Sequence, residues 1–207
     1  MCIIVTKGVI MEHAIGVIGG VGPYAGIDLV KKVFDQTIAT TDQEHIDLYL
    51  TSCPSIIPDR TGFLLSGGEN PADGIFRCFS KLASIGATAI VIPCNTAHAP
   101  AIYGEVARHA AVDWPHVQFL NMIAETCSFL DTLFPQGAVV GLMATLGTHS
   151  VGIYRHYLQA YPRLELVEPD EAGRQAVHGA IYDRTYGIKA VSPVTTRAVQ
   201  ILKGKAE

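Results

Sequence analysis

Short apolar runs alternate with longer amphipathic stretches along most of this chain. Apolar runs typical of buried strands lie at residues 13–20, 46–52, 88–93, 117–121, 137–144 and 164–168. Helical patterns follow at 24–38, 71–85, 97–111, from the fourth strand to about 134, and at 150–160, 171–186 and 192–202. Because strands alternate with helices, the pattern predicts an α/β fold with doubly wound parallel sheets and right-handed crossovers.

The strand–helix scheme restarts midway, as in a weak internal repeat. The segment Ile15–Gly22 resembles Val140–Gly147 at an offset of about 125 residues, and both run from a strand through a turn of small residues into a helix. We therefore predict two Rossmann-like lobes, one over residues 12–120 and one over residues 121–207.

The repeat predicts a second lobe that is incomplete at its C-terminus. In the first lobe a helix ends at Gly86 before the strand that leads to Cys94, and a similar helix ends near Gly204. The equivalent strand end would fall at about position 212, beyond Glu207.

Composition narrows the class of protein. Of the 207 residues, 49% are hydrophobic and 16% are charged, with a formal net charge of -4, which favours a compact globule and disfavours nucleic acid or an anionic membrane as a partner. The apolar runs are too short to span a bilayer and no signal peptide is recognisable, so we expect a cytoplasmic protein. Residues 1–10 resemble a loose extension, and we hypothesise that Met11 is the natural start.

Five widely spaced cysteines without a CxxC pair predict neither a disulfide framework nor a metal site. Cys94 follows the third strand directly, where a helix is expected to begin. A helix N-terminus favours the thiolate, and ligands of open α/β sheets bind at this edge, so Cys94 is the first candidate catalytic residue. His98 lies one helical turn on and either pairs with the thiol or substrate or sits on the helix surface. Cys53, Cys78 and Cys127 are expected to be structural.

The glycine-rich segment Gly19–Gly26 follows the first strand and opens a helix. Gly22 would let a charged group approach backbone N–H groups there. The spacing departs from a dinucleotide fingerprint, since Gly26 comes one residue late and Thr51–Pro54 brings no acid after the second strand. A carboxylate-binding loop is therefore favoured over dinucleotide binding, with a plain tight turn as the alternative.

Two cations and two hydroxyls complete the candidate site. Arg60 follows the second strand in a loop stiffened by prolines, and a guanidinium matches a carboxylate in bidentate fashion. Thr145 and Thr148 follow the first strand of the second lobe and could hold a second carboxylate. Lys189 is another cation in a loop. Solvated side chains are the alternative for Arg60 and Lys189.

Taken together, these motifs resemble the aspartate/glutamate racemase family. The resemblance implies two lobes with the active site between them, no cofactor, a small dicarboxylic amino acid as substrate and a homodimer. It implies that Cys94 is one of two catalytic cysteines and that Asn95 and Thr96 help to hold the substrate. The matching segments are Gly19–Gly26, Ile57–Thr61, Pro93–His98, Ala144–Thr148 with Tyr154, and Gly187–Ala190.

One departure from the family pattern is serious. The family's second cysteine lies in a G-C-T-E-like motif on a late strand, and no such motif occurs in this sequence. The chain is either truncated or a natural relative with one thiol, for which we expect slow or absent racemisation. The expected function is cofactor-independent racemisation of aspartate or glutamate. Without the second thiol, we expect that activity to be impaired. The alternatives are a non-catalytic dicarboxylate-binding relative and a one-thiol enzyme of decarboxylase or isomerase type.

Overall fold

The computed structural model describes residues 13–206. The hypotheses about Met11 and residues 1–10, and the N-terminal Cys2, lie outside that range. The strands are β1 Ala14–Gly19, β2 Asp47–Ser52, β3 Ala87–Val91, β4 Gln118–Leu120, β5 Ala138–Gly141 and β6 Leu164–Val167. The helices are α1 Pro23–Gln36, α2 Arg60–Ser66, α3 Ala72–Ser84, α4 Pro100–Asp113, α5 Met122–Leu133, α6 Leu146–Val151, α7 Ile153–Leu158, α8 Glu171–Tyr182 and α9 Thr196–Ala206.

The first compact unit comprises residues 13–59 and Glu69–Glu125. Its four strands are parallel in the order β2-β1-β3-β4, with Gly16 beside Tyr49 on one side and Ile90 on the other. The order reverses between β1 and β3, so the crevice outside their carboxyl ends is the place where ligands of open α/β sheets bind.

The core of the first unit explains why this sheet forms. Val17, Ile18 and Ile90 on the strands and Phe79 and Leu82 on α3 are all completely buried. Strands buried on both faces are continuous apolar runs, as in the sequence. Burying side chains of this size stabilises the fold by roughly 1.5–3 kcal/mol each.

The second compact unit comprises Arg60–Gly68 and residues 126–206. Strands β5 and β6 form a parallel pair, with Val140 beside Leu166. Helix α2 packs against α6 and α8 packs against α9. The prediction placed the segment of α2 in the first lobe, 12–120, and not in the second, 121–207. In the structure this segment belongs to the second unit.

The expected fold class is confirmed: the chain is α/β with two parallel sheets in two lobes. Several predicted helix bounds were wrong. The sequence did not predict α2 at all, and the helix expected at 150–160 is two helices, α6 and α7, separated by Gly152 in the left-handed conformation at φ 59°. Among residues 13–206 no helix combines the length and hydrophobicity needed to cross a membrane.

Candidate functional site

Cys94 lies just beyond the carboxyl end of β3, at the edge where β1 also ends. Its backbone N–H donates to the carbonyl oxygen of Ile92 over 2.9 Å, which turns the chain sharply at Pro93. The residue is half-buried, whereas Cys78 and Cys127 are completely buried. Cys94 is therefore partly exposed at the sheet edge where the strand order reverses.

The helix expected directly after Cys94 is absent from the described structure. A single 3₁₀ turn, Thr96–His98, follows, and α4 begins only at Pro100. The residue before a proline is disfavoured in the helical region, and Ala99 is accordingly extended at ψ 137°. The expectation that the N-terminus of an α-helix favours the thiolate of Cys94 was therefore wrong.

His98 is buried, with 2% of its surface exposed, and both of its ring nitrogens contact backbone groups. Nδ1 lies 2.9 Å from the carbonyl oxygen of Cys94, and the N–H of Met122 donates to Nε2 over 3.1 Å. Nδ1 therefore carries the proton. Burial lowers the pKa of His98 to about 4, against the opposing effect of the bond to Cys94. His98 is thus neutral and positions the Cys94 backbone, rather than sitting on the helix surface.

An aromatic stack holds His98 in place. Its ring lies parallel to that of Tyr103, with centroids 5.1 Å apart, and Tyr103 stacks on Phe119 at 4.4 Å. The hydroxyl of Tyr103 donates to the carbonyl oxygen of Phe119 over 2.9 Å. Phe79 meets Phe119 edge to face at 5.2 Å. The segment that carries the thiol is therefore anchored to the core of the first unit.

The glycine loop contains two glycines with different roles. Gly20 has φ 87°, and a Cβ there would lie 2.9 Å from the backbone nitrogen of Cys53, so the fold itself requires glycine. Gly22 is the N-cap of α1, with open space where a Cβ would lie. Packing does not explain Gly22, which stays a candidate for approach by a ligand.

The two polar residues after the thiol lie in the same turn. Asn95 is half-buried at the N-cap of the 3₁₀ turn, and its carbonyl oxygen accepts from the N–H of His98 over 3.0 Å. Thr96 is buried, with 5% exposed. Their predicted part in holding the substrate stays a prediction.

The thiol of Cys53 faces helix α3. It shares a hydrogen bond with Cys78, and burial, together with that neighbouring thiol, raises the pKa of Cys78 to about 11. Cys53 is half-buried at the end of β2. The Cys53 thiol is therefore held by Cys78 and is a poorer candidate than Cys94 for the acid–base group.

In the second unit, a tyrosine side chain contacts both the segment that carries Arg60 and the side chain of Lys189. Arg60 is the first residue of α2 and is buried, with Thr61 next to it. Lys189 is exposed, and its ammonium donates to the hydroxyl of Tyr182 over 3.3 Å. The same hydroxyl lies 3.5 Å from that of Thr61. Tyr182 thus joins Lys189 to the segment that carries Arg60.

The two threonines of the second unit cap a short helix. The N–H of Thr148 donates to the Thr145 hydroxyl over 3.4 Å, and the two hydroxyls lie 3.2 Å apart. Thr148 is buried, with 1% exposed. These contacts satisfy a helix end. The expectation that the hydroxyls and N–H groups of this turn hold a second carboxylate stays a prediction.

Sequence reasoning overlooked Tyr182 and His178. The rings of His178 and Tyr182 are stacked with centroids 4.8 Å apart, and Nδ1 of His178 accepts from the N–H of Leu146 over 3.3 Å. The two are four residues apart on α8, the spacing that places side chains on one helix face. That spacing was the available signal. Within residues 13–206, no cluster of histidine, cysteine and carboxylate side chains has the form of a metal site.

Comparison with known proteins supports the resemblance found in the sequence. Residues 18–206 match the model of the Asp/Glu/hydantoin racemase family. The aspartate racemase of Picrophilus torridus is 30% identical, with a TM-score of 0.72, over 92% of this chain and 73% of that one. An aspartate racemase homologue from Pyrococcus horikoshii OT3 is 18% identical, covers 95% of this chain and 100% of that one, and shares the fold with a TM-score of 0.60. The chain therefore belongs to the Asp/Glu/hydantoin racemase family.

Proposed function

We propose that this racemase-like protein acts on aspartate or glutamate without a cofactor, and that Cys94 exchanges the α-proton on one face of the substrate. The observation that carries the proposal is the position of Cys94: half-buried at the strand-order reversal, with its carbonyl oxygen held by His98. Membership of the racemase family supports the reaction class.

The chemistry requires few groups. The Cys94 thiolate takes the α-proton and becomes a thiol, while the electron pair of the C–H bond moves into the adjacent carboxylate. That carboxylate gains charge, so N–H donors and cations directed at it stabilise the transition state. The thiol then exchanges its proton with solvent, and return of that solvent proton to the α-carbon regenerates the thiolate and completes the exchange. We assign the N–H groups at Gly22 and the side chains of Arg60 and Lys189 to carboxylate binding.

Inversion of the substrate needs a second acid–base group on the opposite face. Among the four cysteines of residues 13–206, Cys78 and Cys127 are completely buried, and the Cys53 thiol is hydrogen-bonded to that of Cys78. The proposed activity of the described residues is therefore α-proton exchange on one face, with inversion slow or absent. The expected homodimer and cytoplasmic location stay predictions.

Incubation of the protein with L-aspartate and L-glutamate in D₂O tests the proposal. We expect deuterium at the α-carbon by NMR, with little D-enantiomer by chiral chromatography. Deuteration with full inversion would show a second acid–base group. Absence of deuterium from both amino acids would overturn the proposed reaction and favour a dicarboxylate-binding relative, which succinate titration would reveal.

Two cysteine variants test whether the Cys94 thiol performs the α-proton exchange. Cys94→Ser should abolish deuteration, because a hydroxyl is a far weaker acid than a thiol. Cys53→Ala is the matched control, because Cys53 is also half-buried at a strand end. It should retain exchange. Unchanged exchange in Cys94→Ser would refute the assignment.

A further inference from the structure

Lys189 is held at a defined place although its side chain is exposed. Its backbone N–H donates to the carbonyl oxygen of Ile181 over 3.1 Å, and that of Ile188 donates to Ala180 over 3.0 Å. These bonds satisfy carbonyl groups in the last turn of α8. At Gly187, a Cβ would lie 2.5 Å from the carbonyl oxygen of Asp183, so the return of the chain onto α8 requires glycine.

The side chain of Lys189 is fixed at its far end by Tyr182. The ammonium donates to the Tyr182 hydroxyl over 3.3 Å and lies 4.4 Å from the centre of the ring. An exposed lysine ordinarily samples many rotamers, whereas a hydrogen bond and a cation–π contact to one residue restrict it.

Tyr182 is itself oriented by two further elements. Since a lysine ammonium has only donors, the Tyr182 oxygen accepts from it, and the same oxygen lies 3.5 Å from the Thr61 hydroxyl. On α8, the stacked ring of His178 fixes the ring of Tyr182, while Nδ1 of His178 holds the first turn of α6. Contacts from three helices thus restrict the phenol of Tyr182: the first turn of α2, the first turn of α6 through His178, and α8 itself.

We propose that Tyr182 is a positioning residue that directs the Lys189 ammonium to a substrate carboxylate next to the Arg60 end of α2. This inference rests on the proposed function, in which Lys189 and Arg60 bind carboxylates. The ligand class is a small dicarboxylate. Preorganising the cation spares the entropy of ordering a long side chain on binding, so loss of the phenol hydroxyl weakens dicarboxylate affinity more than it slows proton transfer at Cys94.

The test uses the protein with its lysines converted to ¹³C-dimethyllysines, which keep their charge, and succinate as the probe. The NMR signal of Lys189 is assigned by its loss in Lys189→Arg. We compare Tyr182→Phe, which removes only the hydroxyl, with wild type. Tyr186→Phe is the matched control, because Tyr186 also carries a cation over its ring, but that cation is Arg197, at 3.9 Å.

We expect the Lys189 signal of Tyr182→Phe to move towards that of exposed lysines such as Lys31. The apparent Kd for succinate should rise about three- to tenfold, as for the loss of one ordinary hydrogen bond. In enzyme assays KM should rise with kcat nearly unchanged, which a merely structural role would not produce. Tyr186→Phe should leave both the signal and the Kd unchanged.

The outcomes separate the two proposals. If wild type responds to succinate and Tyr182→Phe responds at the same concentration, the positioning role is overturned and carboxylate binding by Lys189 stands. If the Lys189 signal of wild type does not respond to succinate, the carboxylate role in the proposed function fails and the positioning role fails with it. A free-protein Lys189 signal unaffected by Tyr182→Phe overturns the positioning role whatever the succinate response.

Discussion

The Nδ1 atom of His98 lies 2.9 Å from the carbonyl oxygen of Cys94, four residues earlier. The N–H of Met122 donates to the other ring nitrogen, so a neutral imidazole bridges the thiol's own backbone and the first turn of α5. With its one proton on Nδ1, the ring donates to the carbonyl oxygen of Cys94 and accepts from the N–H of Met122. A second proton, on Nε2, would point at the Met122 N–H, which is also a donor. The placement of Cys94 therefore depends on His98 remaining neutral.

This relationship predicts a pH dependence of stability. Burial lowers the pKa of His98 in the folded protein to about 4, below its ordinary value of 6.5, so the unfolded chain binds a proton more readily. The free energy of unfolding should fall as pH drops from about 6.5 to about 4, by ~3 kcal/mol from this residue. Urea unfolding at several pH values between 7.5 and 4 measures it.

The control for this prediction is a second histidine. His98→Gln should flatten the dependence between pH 6.5 and 4 and lower stability at pH 7 by roughly 1–3 kcal/mol, through the loss of a buried, bonded ring. His116→Gln, at an exposed position, should change neither quantity. An equal pH slope in wild type and His98→Gln would contradict the assigned tautomer.

Two neighbouring glycines should differ in what alanine does to them. At Gly20, a Cβ would meet the Cys53 nitrogen at 2.9 Å with φ 87°, so Gly20→Ala should destabilise the protein by about 1–3 kcal/mol. At Gly22 there is open space, so Gly22→Ala should leave the melting temperature nearly unchanged while weakening succinate binding. Thermal unfolding and calorimetric titration of both variants measure these effects. Unaltered succinate affinity in Gly22→Ala would remove Gly22 from the carboxylate site.

The parts of the fold that could be predicted from sequence are those fixed by burial. Strands such as β1 and β3 are apolar because both faces are covered, and that pattern is visible without coordinates. The helix α2 was missed because it is short, and its burial comes from packing against α6, a contact distant in the sequence. Asp59, directly before Arg60, was the local signal of a helix start.

In the candidate site, too, some features follow from the local sequence and others depend on contacts between distant residues. The place of Cys94 at a strand end follows from the strand pattern alone. The roles of His98 and Tyr182 do not, because each depends on a partner distant in the sequence: Met122 for His98 and Thr61 for Tyr182. Proline chemistry at Pro100 could have corrected the predicted start of α4.

Thiol accessibility predicts an order of alkylation. Cys94 and Cys53 are half-buried, whereas Cys78 and Cys127 have no exposed surface. Limited iodoacetamide treatment followed by peptide mass spectrometry should label Cys94 first, because the Cys53 thiol is hydrogen-bonded to Cys78. Cys78 and Cys127 should react only after unfolding. Succinate should slow labelling of Cys94 and leave Cys53 unaffected, and labelling of Cys127 ahead of Cys94 would contradict the described packing.

Glu168 offers a test of the second unit. Its carboxylate accepts from Nδ1 of His149 over 2.8 Å and from the guanidinium of Arg155, while Arg174 lies 3.8 Å away. Burial raises the pKa of Glu168, but the bonds from His149 and Arg155 outweigh it, so the pKa is lowered overall. A lowered carboxylate pKa gives stability that is present above the unfolded value and lost as pH falls below it.

Glu168→Gln should therefore lower the free energy of unfolding at pH 7 by about 1–3 kcal/mol, because a buried hydrogen-bonded charge is removed from its partners. The difference from wild type should shrink as pH falls below about 4.3, where the carboxylate of the unfolded chain gains its proton before that of the folded protein. Glu165→Gln, at an exposed position on β6, is the control and should behave as wild type. Guanidinium unfolding at pH 7 and pH 3.5 measures both variants. A Glu168→Gln deficit of the same size at both pH values would show that side-chain shape, rather than the charge on Glu168, stabilises this end of β6.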